Sequence, residues 1–345
     1  MSTYRVAQVT APGGTFELVE REVPHPGPGE VRIAVEACGI CHSDALFVDA
    51  AAPGITFPEV PGHEIAGRVE ELGEGALGRG WKVGDRVAVG WFGGSCGYCT
   101  PCRRGDFIAC VRLKVPGWAY DGGFAEKVIV PVDALARVPD GLDASAAGPM
   151  ACAGVTTFNG LRRSAARAGD RVAVLGLGGL GHLGVQFAAA MGFETVAIAR
   201  GAEKAGFAKE LGAHHYIDST AGTPVAEALQ NLGGAKVVLA TAGNSAAMSA
   251  TVDGLTPRGE LVIIGVSPEP LDITPLQLIS GGRDVKGHPS GTSQDVQDTM
   301  DFAVLHGIRP MTEVVPLDDV EAAYQKMLAG RARFRMVLET AAGSG

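Results

Sequence analysis

The sequence lacks the marks of several protein classes. No stretch approaches the roughly 18 consecutive apolar residues of a membrane-spanning helix. The opening MSTYRVAQVT has neither an apolar h-region nor a small-residue cleavage site, so a signal peptide is not expected and the cytoplasm is the expected compartment. Positive charge is in deficit: 29 Lys and Arg stand against 38 Asp and Glu, a formal net charge of -9. Phosphate backbones and anionic membranes select for Lys and Arg, so neither is an expected partner. There is no run of like charge long enough to form a binding tail, no low-complexity block and no solenoid repeat. Cysteine is sparse and odd in number at seven, which argues against a disulfide framework.

What is present is apolar and turn-rich. Hydrophobic residues make up 46% of the 345 residues and charged residues 19%, ample for a buried core and too apolar for disorder. The 50 glycines are spread through short turns, as in a fold with many tight turns and close backbone approaches. Length alone suggests roughly two domains. VRIAVEACGI, GRVEELG, DRVAVGW and AEKVIVP read as strands between Gly, Pro and Asp turns, and Pro24, Pro26 and Pro28 mark an early loop. Past about Pro149 the pattern alternates. RVAVLG, ETVAIA, AKVVLATAG and GELVIIGV are strands, separated by LGHLGVQFAAAMG, EKAGFAKELGA and TPVAEALQNLG as helices. That alternation predicts a doubly wound parallel sheet. After about Gly287 come two amphipathic helices, DVQDTMDFAVLHG and DDVEAAYQKMLAG, and a final strand, FRMVLET. This tail is too short for a third domain and is expected to return to the first.

Two groups of residues point to metal. Cys96, Cys99, Cys102 and Cys110 form C-x2-C-x2-C-x7-C in a Gly-rich loop. Four close thiolates wrap one tetrahedral zinc at about 2.3 Å per bond and leave no open position, so the role is structural. An iron–sulfur cluster also takes four thiolates, but the spacing departs from the ferredoxin runs. The second group is scattered: Cys41 in GICHSD, His63 in PGHE and Cys152 in MACAGVT. Two thiolates and an imidazole make the ligand set of an open catalytic zinc. Spacing does not show that these three meet. Taken singly, each has a plainer reading: a buried small hydrophobe for Cys152, a hydrogen-bonded interior residue for His63. Asp44 could accept the second ring N–H of His63 and fix its tautomer. Glu64, beside His63, could lie near the metal; both acids could equally be surface charge.

Gly176, Gly178 and Gly181 form G-x-G-x-x-G, with Gly179 and Leu180 between, after one strand and before a helix. That context is the dinucleotide fingerprint. Gly176 permits the tight turn, Gly178 lets the backbone approach the pyrophosphate, and Gly181 lets the helix pack on the sheet. The next strand ends at Ala199 without the usual ribose-binding acid, and Arg200 follows. Arg200, with Lys204, is placed to pair with a 2′-phosphate, which favours NADP(H) over NAD(H).

GHE, the four-cysteine loop, CAGVT and GLGGLG occur in this order. With them the whole chain resembles the zinc-containing medium-chain alcohol dehydrogenases, especially the bacterial and yeast-like tetrameric branch. The resemblance implies an α/β protein: a GroES-like β-rich catalytic domain from residues 1–153 and 289–345, and a Rossmann doubly wound parallel-sheet domain at 154–288. It implies Cys41, His63 and Cys152 as catalytic zinc ligands, His42 and Arg335 near the cofactor pyrophosphate, and Thr156 near the nicotinamide. It places Ser43 at the substrate oxygen, and Trp91 with Phe47 in the substrate pocket. Many relatives carry a His where this chain has Leu46, so the outer end of their proton relay is missing. Cys38 is the one cysteine left over and is expected to be buried and inert.

The expected activity is reversible hydride transfer between an alcohol or aldehyde and NAD(P), with zinc as Lewis acid and Ser43 moving the proton. Rivals are an NADPH-dependent aldehyde reductase of the cinnamyl alcohol dehydrogenase type and a non-catalytic regulator that binds zinc and dinucleotide. Polyol and threonine dehydrogenases often carry a carboxylate where this chain has Cys152. A homotetramer is expected, with a homodimer as second choice.

Overall fold

The computed structural model describes residues 2–343. They divide into two units. The first comprises the described residues up to Val155, Gly291–Leu305 and the chain from Arg309 onward; the second comprises Thr156–Ser290 and His306–Ile308.

The first unit contains strands β1 (Thr3–Gln8), β2 (Glu17–Glu22), β3 (Glu30–Ile40), β4 (Ile65–Leu72), β5 (Arg86–Val89), β6 (Lys127–Pro131) and β7 (Ala136–Arg137), with short helices α1 (Asp44–Val48), α2 (Thr100–Arg103) and α3 (Ala144–Pro149). A π-helical turn, Met150–Gly154, follows α3 directly and leads into α4 (Val155–Arg162). In the second unit, β8 (Arg171–Leu175), α5 (Gly181–Ala190), β9 (Glu194–Ala199), α6 (Ala205–Glu210), β10 (His215–Asp218), α7 (Val225–Asn231), β11 (Ala235–Ala240), α8 (Ser245–Ser249), β12 (Leu255–Ile263), α9 (Pro275–Gly281) and β13 (Asp284–Gly287) alternate. The chain then returns to the first unit with α10 (Ser293–His306), β14 (Thr312–Pro316), α11 (Val320–Leu328) and β15 (Arg335–Glu339).

The first unit has a seven-stranded sheet in the order β14-β15-β3-β4-β5-β7, with β6 also on β3, and a two-stranded sheet of β1 and β2. The last strand is tied to one of the first: β15 pairs antiparallel with β3, Met336 opposite Ile40 and Glu339 opposite Ala37. β3 is central in the sheet, with β4, β6 and β15 all pairing with it, and most of its residues are buried. Its core gathers Val31, Ile33, Val35 and Ile40 with Ile65, Val87, Phe124, Tyr324 and Leu338. Each such side chain contributes about 1.5–3 kcal/mol on burial.

The second unit is a six-stranded sheet, β10-β9-β8-β11-β12-β13, parallel throughout. β8 reads RVAVL and is buried from its second residue on, the continuous apolar run of a strand covered on both faces. Strand order reverses between β8 and β11, and in such sheets ligands bind beyond the carboxyl ends of the strands at that point.

Three differences from the sequence reading concern local structure. EKAGFAKELGA opens as a 3-10 turn, Ala202–Lys204, before α6. The strands β10 and β13, four residues each, are too short to show a period. The segment around Cys152 is π-helical, where the Ala-rich composition suggested plain helix.

Candidate functional site

Short local devices bring the scattered residues together. β3 ends at Ile40, and Cys41 follows as the chain turns into α1. Asp44, the first residue of α1, folds back so that its Oδ2 accepts the Cys41 N–H at 2.8 Å. Its other oxygen, Oδ1, lies 2.8 Å from His63 Nδ1, with both residues wholly buried. The carboxylate therefore holds a proton on Nδ1, and Nε2 is the ring nitrogen left to ligate. Nε2 is buried and has no hydrogen-bond partner among the described residues.

Cys152 comes from the π-turn. Asp143 caps α3 by accepting the Ala146 N–H at 2.8 Å, and the widened turn then presents Cys152. The ligand atoms of Cys41, His63, Glu64 and Cys152 all lie within 4.8 Å of one another. Two thiols, an imidazole nitrogen without a partner and a carboxylate converging at this distance fit a zinc ion with three fixed ligands. The Cys152 thiol, donating to Cys41, holds Cys41 well below the usual thiol range; burial opposes this, while Arg335 and His63 add to it. The same bond, with burial, pushes Cys152 up. Burial works to discharge His63, but Asp44 outweighs it and raises its pKa.

Glu64 is wholly buried, and neither of its oxygens has a hydrogen bond among the described residues. Its nearest cation is Arg335 on β15, at 3.5 Å from Nε to Oε2, an ion-pair separation. Burial lifts the Glu64 pKa to about 8, with Arg335 pulling it down. Arg335 also donates to the Ile40 carbonyl at 3.1 Å. Space for this carboxylate exists because residue 39 is glycine: a Cβ there would sit 2.1 Å from Glu64 Oε2. Sequence reasoning assigned Gly39 nothing, and a lone glycine near a strand end carries no signal of its own.

An aromatic wall stands beside the cluster. Trp91 meets the His63 ring edge-on at 5.1 Å, Phe47 stacks on Trp91 at 6.0 Å, and Trp118 stacks on Phe47 at 6.0 Å. Phe47 is fully buried, whereas Trp91 and Trp118 are half-buried. Trp118 is fixed by its Nε1 donating to the Pro53 carbonyl at 2.9 Å. Ser43 is half-buried at the start of α1 and makes no capping bond; His42 and Leu46 are exposed. Cys38 is buried, and burial pushes its thiol up, as expected of an inert residue.

The four-cysteine loop is compact. Sγ separations are 3.4 Å for Cys99–Cys102, 3.6 Å for Cys96–Cys110 and 3.9 Å for Cys99–Cys110. A tetrahedron of 2.3 Å bonds has edges of about 3.8 Å, so these thiols fit one zinc. Backbone N–H groups of Cys96 and Arg112 each point at Cys110 Sγ from 3.3 Å. Backbone N–H groups of Cys102 and Val111 hold Cys99 down at about 6, which suits a thiolate ligand.

In the second unit the Gly-rich loop joins β8 to α5. Gly176 has φ +100°, in the left-handed region. Nothing lies within 4 Å of a Cβ at Gly178, so the backbone there is open to a phosphate. Gly181 opens α5 hard against the ends of β8 and β11. A Cβ there would sit 1.8 Å from the Gly176 carbonyl oxygen and 3.0 Å from Thr241 Oγ1. It closes the loop on itself, with Thr241 donating to the Leu175 carbonyl at 2.8 Å as a bridge from β11 to β8. Gly179 and Leu180 are half-buried in the loop. Thr156 is buried in the first turn of α4. Ala199 ends β9 buried, Arg200 is exposed and Lys204 half-buried in the turn that follows. Among the described residues no helix is long and apolar enough to cross a membrane.

Comparison with known proteins gives a consistent picture. Residues 27–140 match the family described as alcohol dehydrogenase GroES-like domain, and residues 179–304 match zinc-binding dehydrogenase. An alcohol dehydrogenase of Penicillium expansum is 41% identical over 337 residues, covering 98% of each chain. Among solved structures, a cinnamyl alcohol dehydrogenase of Sorghum bicolor superposes with a TM-score of 0.88 at 31% identity, covering 98% of each chain. One from Helicobacter pylori, complexed with NADP(H), superposes with a TM-score of 0.86 at 27% identity, again covering 98% of each chain.

Proposed function

This chain belongs to the zinc-dependent medium-chain alcohol dehydrogenases, NAD(P)-dependent enzymes, and on that premise we propose that it interconverts primary alcohols of moderate size with their aldehydes, using NADP(H) in preference to NAD(H). The observation that carries the reading is the buried Cys41–His63–Cys152 cluster, with Asp44 aiming a partnerless His63 Nε2 into it. We assign Cys41, His63 and Cys152 as ligands of a catalytic zinc, and Cys96, Cys99, Cys102 and Cys110 as ligands of a structural zinc. Bound zinc polarises the substrate oxygen as a Lewis acid, and bound nicotinamide takes or gives the hydride.

The chain's own residues do the rest. Asp44 keeps His63 in the tautomer that leaves Nε2 free to ligate. Ser43 takes the alcohol proton in oxidation and returns it in reduction. With Leu46 where a second relay His would stand, the proton leaves Ser43 to solvent. Trp91 and Trp118, stacked on the buried Phe47, exclude water and offer an apolar surface, which favours benzylic and other unsaturated primary alcohols beside aliphatic ones. Gly178 receives the pyrophosphate at the N-terminus of α5, and the family resemblance assigns His42 and Arg335 to the same group. Thr156 contacts the nicotinamide. NADP(H) is favoured because Arg200 stands past Ala199 where a ribose-binding acid would otherwise be. The aldehyde-reducing direction, as in a cinnamyl alcohol dehydrogenase, is supported by the same Arg200. A homotetramer in the cytoplasm, with a dimer as the alternative, follows from the branch resemblance. A purely regulatory role is disfavoured because Cys41, Ser43, His63 and Cys152 are all intact.

The test is turnover followed at 340 nm with ethanol, 1-hexanol, benzyl alcohol and their aldehydes, each with NAD(H) and NADP(H), before and after zinc removal. The expected result is zinc-dependent activity that is highest with benzyl alcohol or benzaldehyde and NADP(H). Activity that survives in Cys152→Ala would overturn the ligand assignment.

A further inference from the structure

The turn after β9 holds charges of both signs where the adenosine of a dinucleotide is bound. Gly201 has φ +91°, and its N–H donates to Asp218 Oδ1 at 2.9 Å while its carbonyl accepts the Tyr216 hydroxyl at 2.5 Å. Asp218 stands at the end of β10, paired with Ala199 at the end of β9. The same Oδ1 also accepts the Thr220 N–H at 2.9 Å and the Thr220 hydroxyl at 2.7 Å. Three donors hold that carboxylate, so it braces the turn and is not available to move.

Glu203 differs. It is exposed, and no hydrogen bond or ion pair to its carboxylate is found among the described residues. The carboxylate nevertheless folds back onto the turn. A Cβ built on Gly201 would lie 2.3 Å from both Oε1 and Oε2, so the two oxygens lie against the Gly201 Cα. Tyr216 feels it as well: burial first, then Asp218 and Glu203, raise the phenol's pKa. Two cations, Arg200 and Lys204, flank the same short turn. A carboxylate free to rotate therefore shares the strand end with the side chains read as 2′-phosphate ligands.

The two cofactors place opposite demands on such a group. A ribose 2′-hydroxyl can donate to a carboxylate. A 2′-phosphate is an anion and is repelled by one, so it must displace the side chain before Arg200 and Lys204 can pair with it. Rotation of an exposed side chain is fast, so the cost falls on the equilibrium and not on the rate.

We propose that Glu203 is a specificity-determining residue for the cofactor: folded over Gly201 it accepts the 2′-hydroxyl of NAD(H), and it turns outward to admit the 2′-phosphate of NADP(H). The inference rests on the reading of Arg200 as a 2′-phosphate ligand, which the experiment tests separately.

Isothermal titration calorimetry on the full-length, zinc-loaded protein measures the binding of two probes, adenosine 2′,5′-bisphosphate and 5′-AMP. Glu203→Gln and Glu203→Ala should each tighten the bisphosphate about tenfold and weaken 5′-AMP about two- to threefold, with the bisphosphate effect shrinking in high salt. A ratio of the two affinities within about twofold of wild type in both variants would overturn the proposal. Arg200→Ala should weaken the bisphosphate and spare 5′-AMP. If it alters neither, the reading of Arg200 fails. A wild-type protein that prefers 5′-AMP, with variants that shift toward the bisphosphate, supports the role of Glu203 while removing the preference for NADP(H).

Discussion

At the scale of the residue, Asp44 is the most consequential group that touches no substrate. One carboxylate fixes both the Cys41 backbone and the His63 ring. Asp44→Asn keeps the shape but offers an amide that can present N–H toward Nδ1, releasing the tautomer. Zinc affinity at the catalytic site should fall about 10- to 100-fold. Titration with a competing chelator, with zinc at the four-cysteine loop counted separately, would show it; unchanged affinity would remove Asp44 from the site. A second buried acid, Glu59, lies outside the site and reports on stability. Burial first, then the negative charge of Asp121, raises its pKa from 4.5 to about 8. Between those values the folded chain holds a proton that the unfolded chain has lost, so stability falls as pH rises from about 4.5 to about 8. Glu59→Gln should match wild type near pH 5 and exceed it near pH 8, read as urea midpoints. A constant gap across that range would show that Glu59 titrates normally.

At the scale of the element, what the sequence disclosed depended on length and chemistry. Strands rich in Val and Ile such as β3 and β8, and the Gly-rich loop before α5, were legible because composition and glycine spacing have a local cause. The Asp44–His63 pairing was foreseen from residue types. The π-turn at Met150–Gly154 was not, because its residues are ordinary helix formers and the extra residue per turn comes from packing. The aromatic wall was half seen: Trp91 and Phe47 were proposed, but Trp118 joins them only through tertiary placement. Gly181 was identified from glycine spacing, but the residues it must clear, Gly176 and Thr241, come from the ends of two strands and are visible only in the structure. That geometry makes a prediction. Gly181→Ala places a methyl 1.8 Å from the Gly176 carbonyl, so the loop must open. Overpacking of this kind costs about 1–3 kcal/mol, and cofactor affinity should drop at least about tenfold by fluorescence titration. Normal affinity in that variant would show that the loop tolerates displacement.

At the scale of the whole molecule, the first unit is built from both ends of the chain and the second from a continuous middle. The two should respond differently to truncation. Ending the chain after Leu328 removes β15, leaving Ala37–Ile40 of β3 without a partner on that edge and Leu338 missing from the core. The first unit should unfold, while residues 156–290, with their own sheet and core, stay folded. Limited proteolysis of the truncated chain should leave a resistant fragment close to that span. Complete digestion would mean that the second unit depends on the first.

The β3–β15 pairing also sets a timetable for synthesis. Ile40 leaves the ribosome about 300 residues ahead of its partner Met336, a delay of about 15–60 s at usual elongation rates. Throughout that interval Ala37–Ile40, the end of β3 that leads into Cys41, has a bare strand edge, open to any other nascent chain that offers one. By then the middle of the chain has already emerged, so a strand made after the whole second unit decides whether β3 is finished correctly.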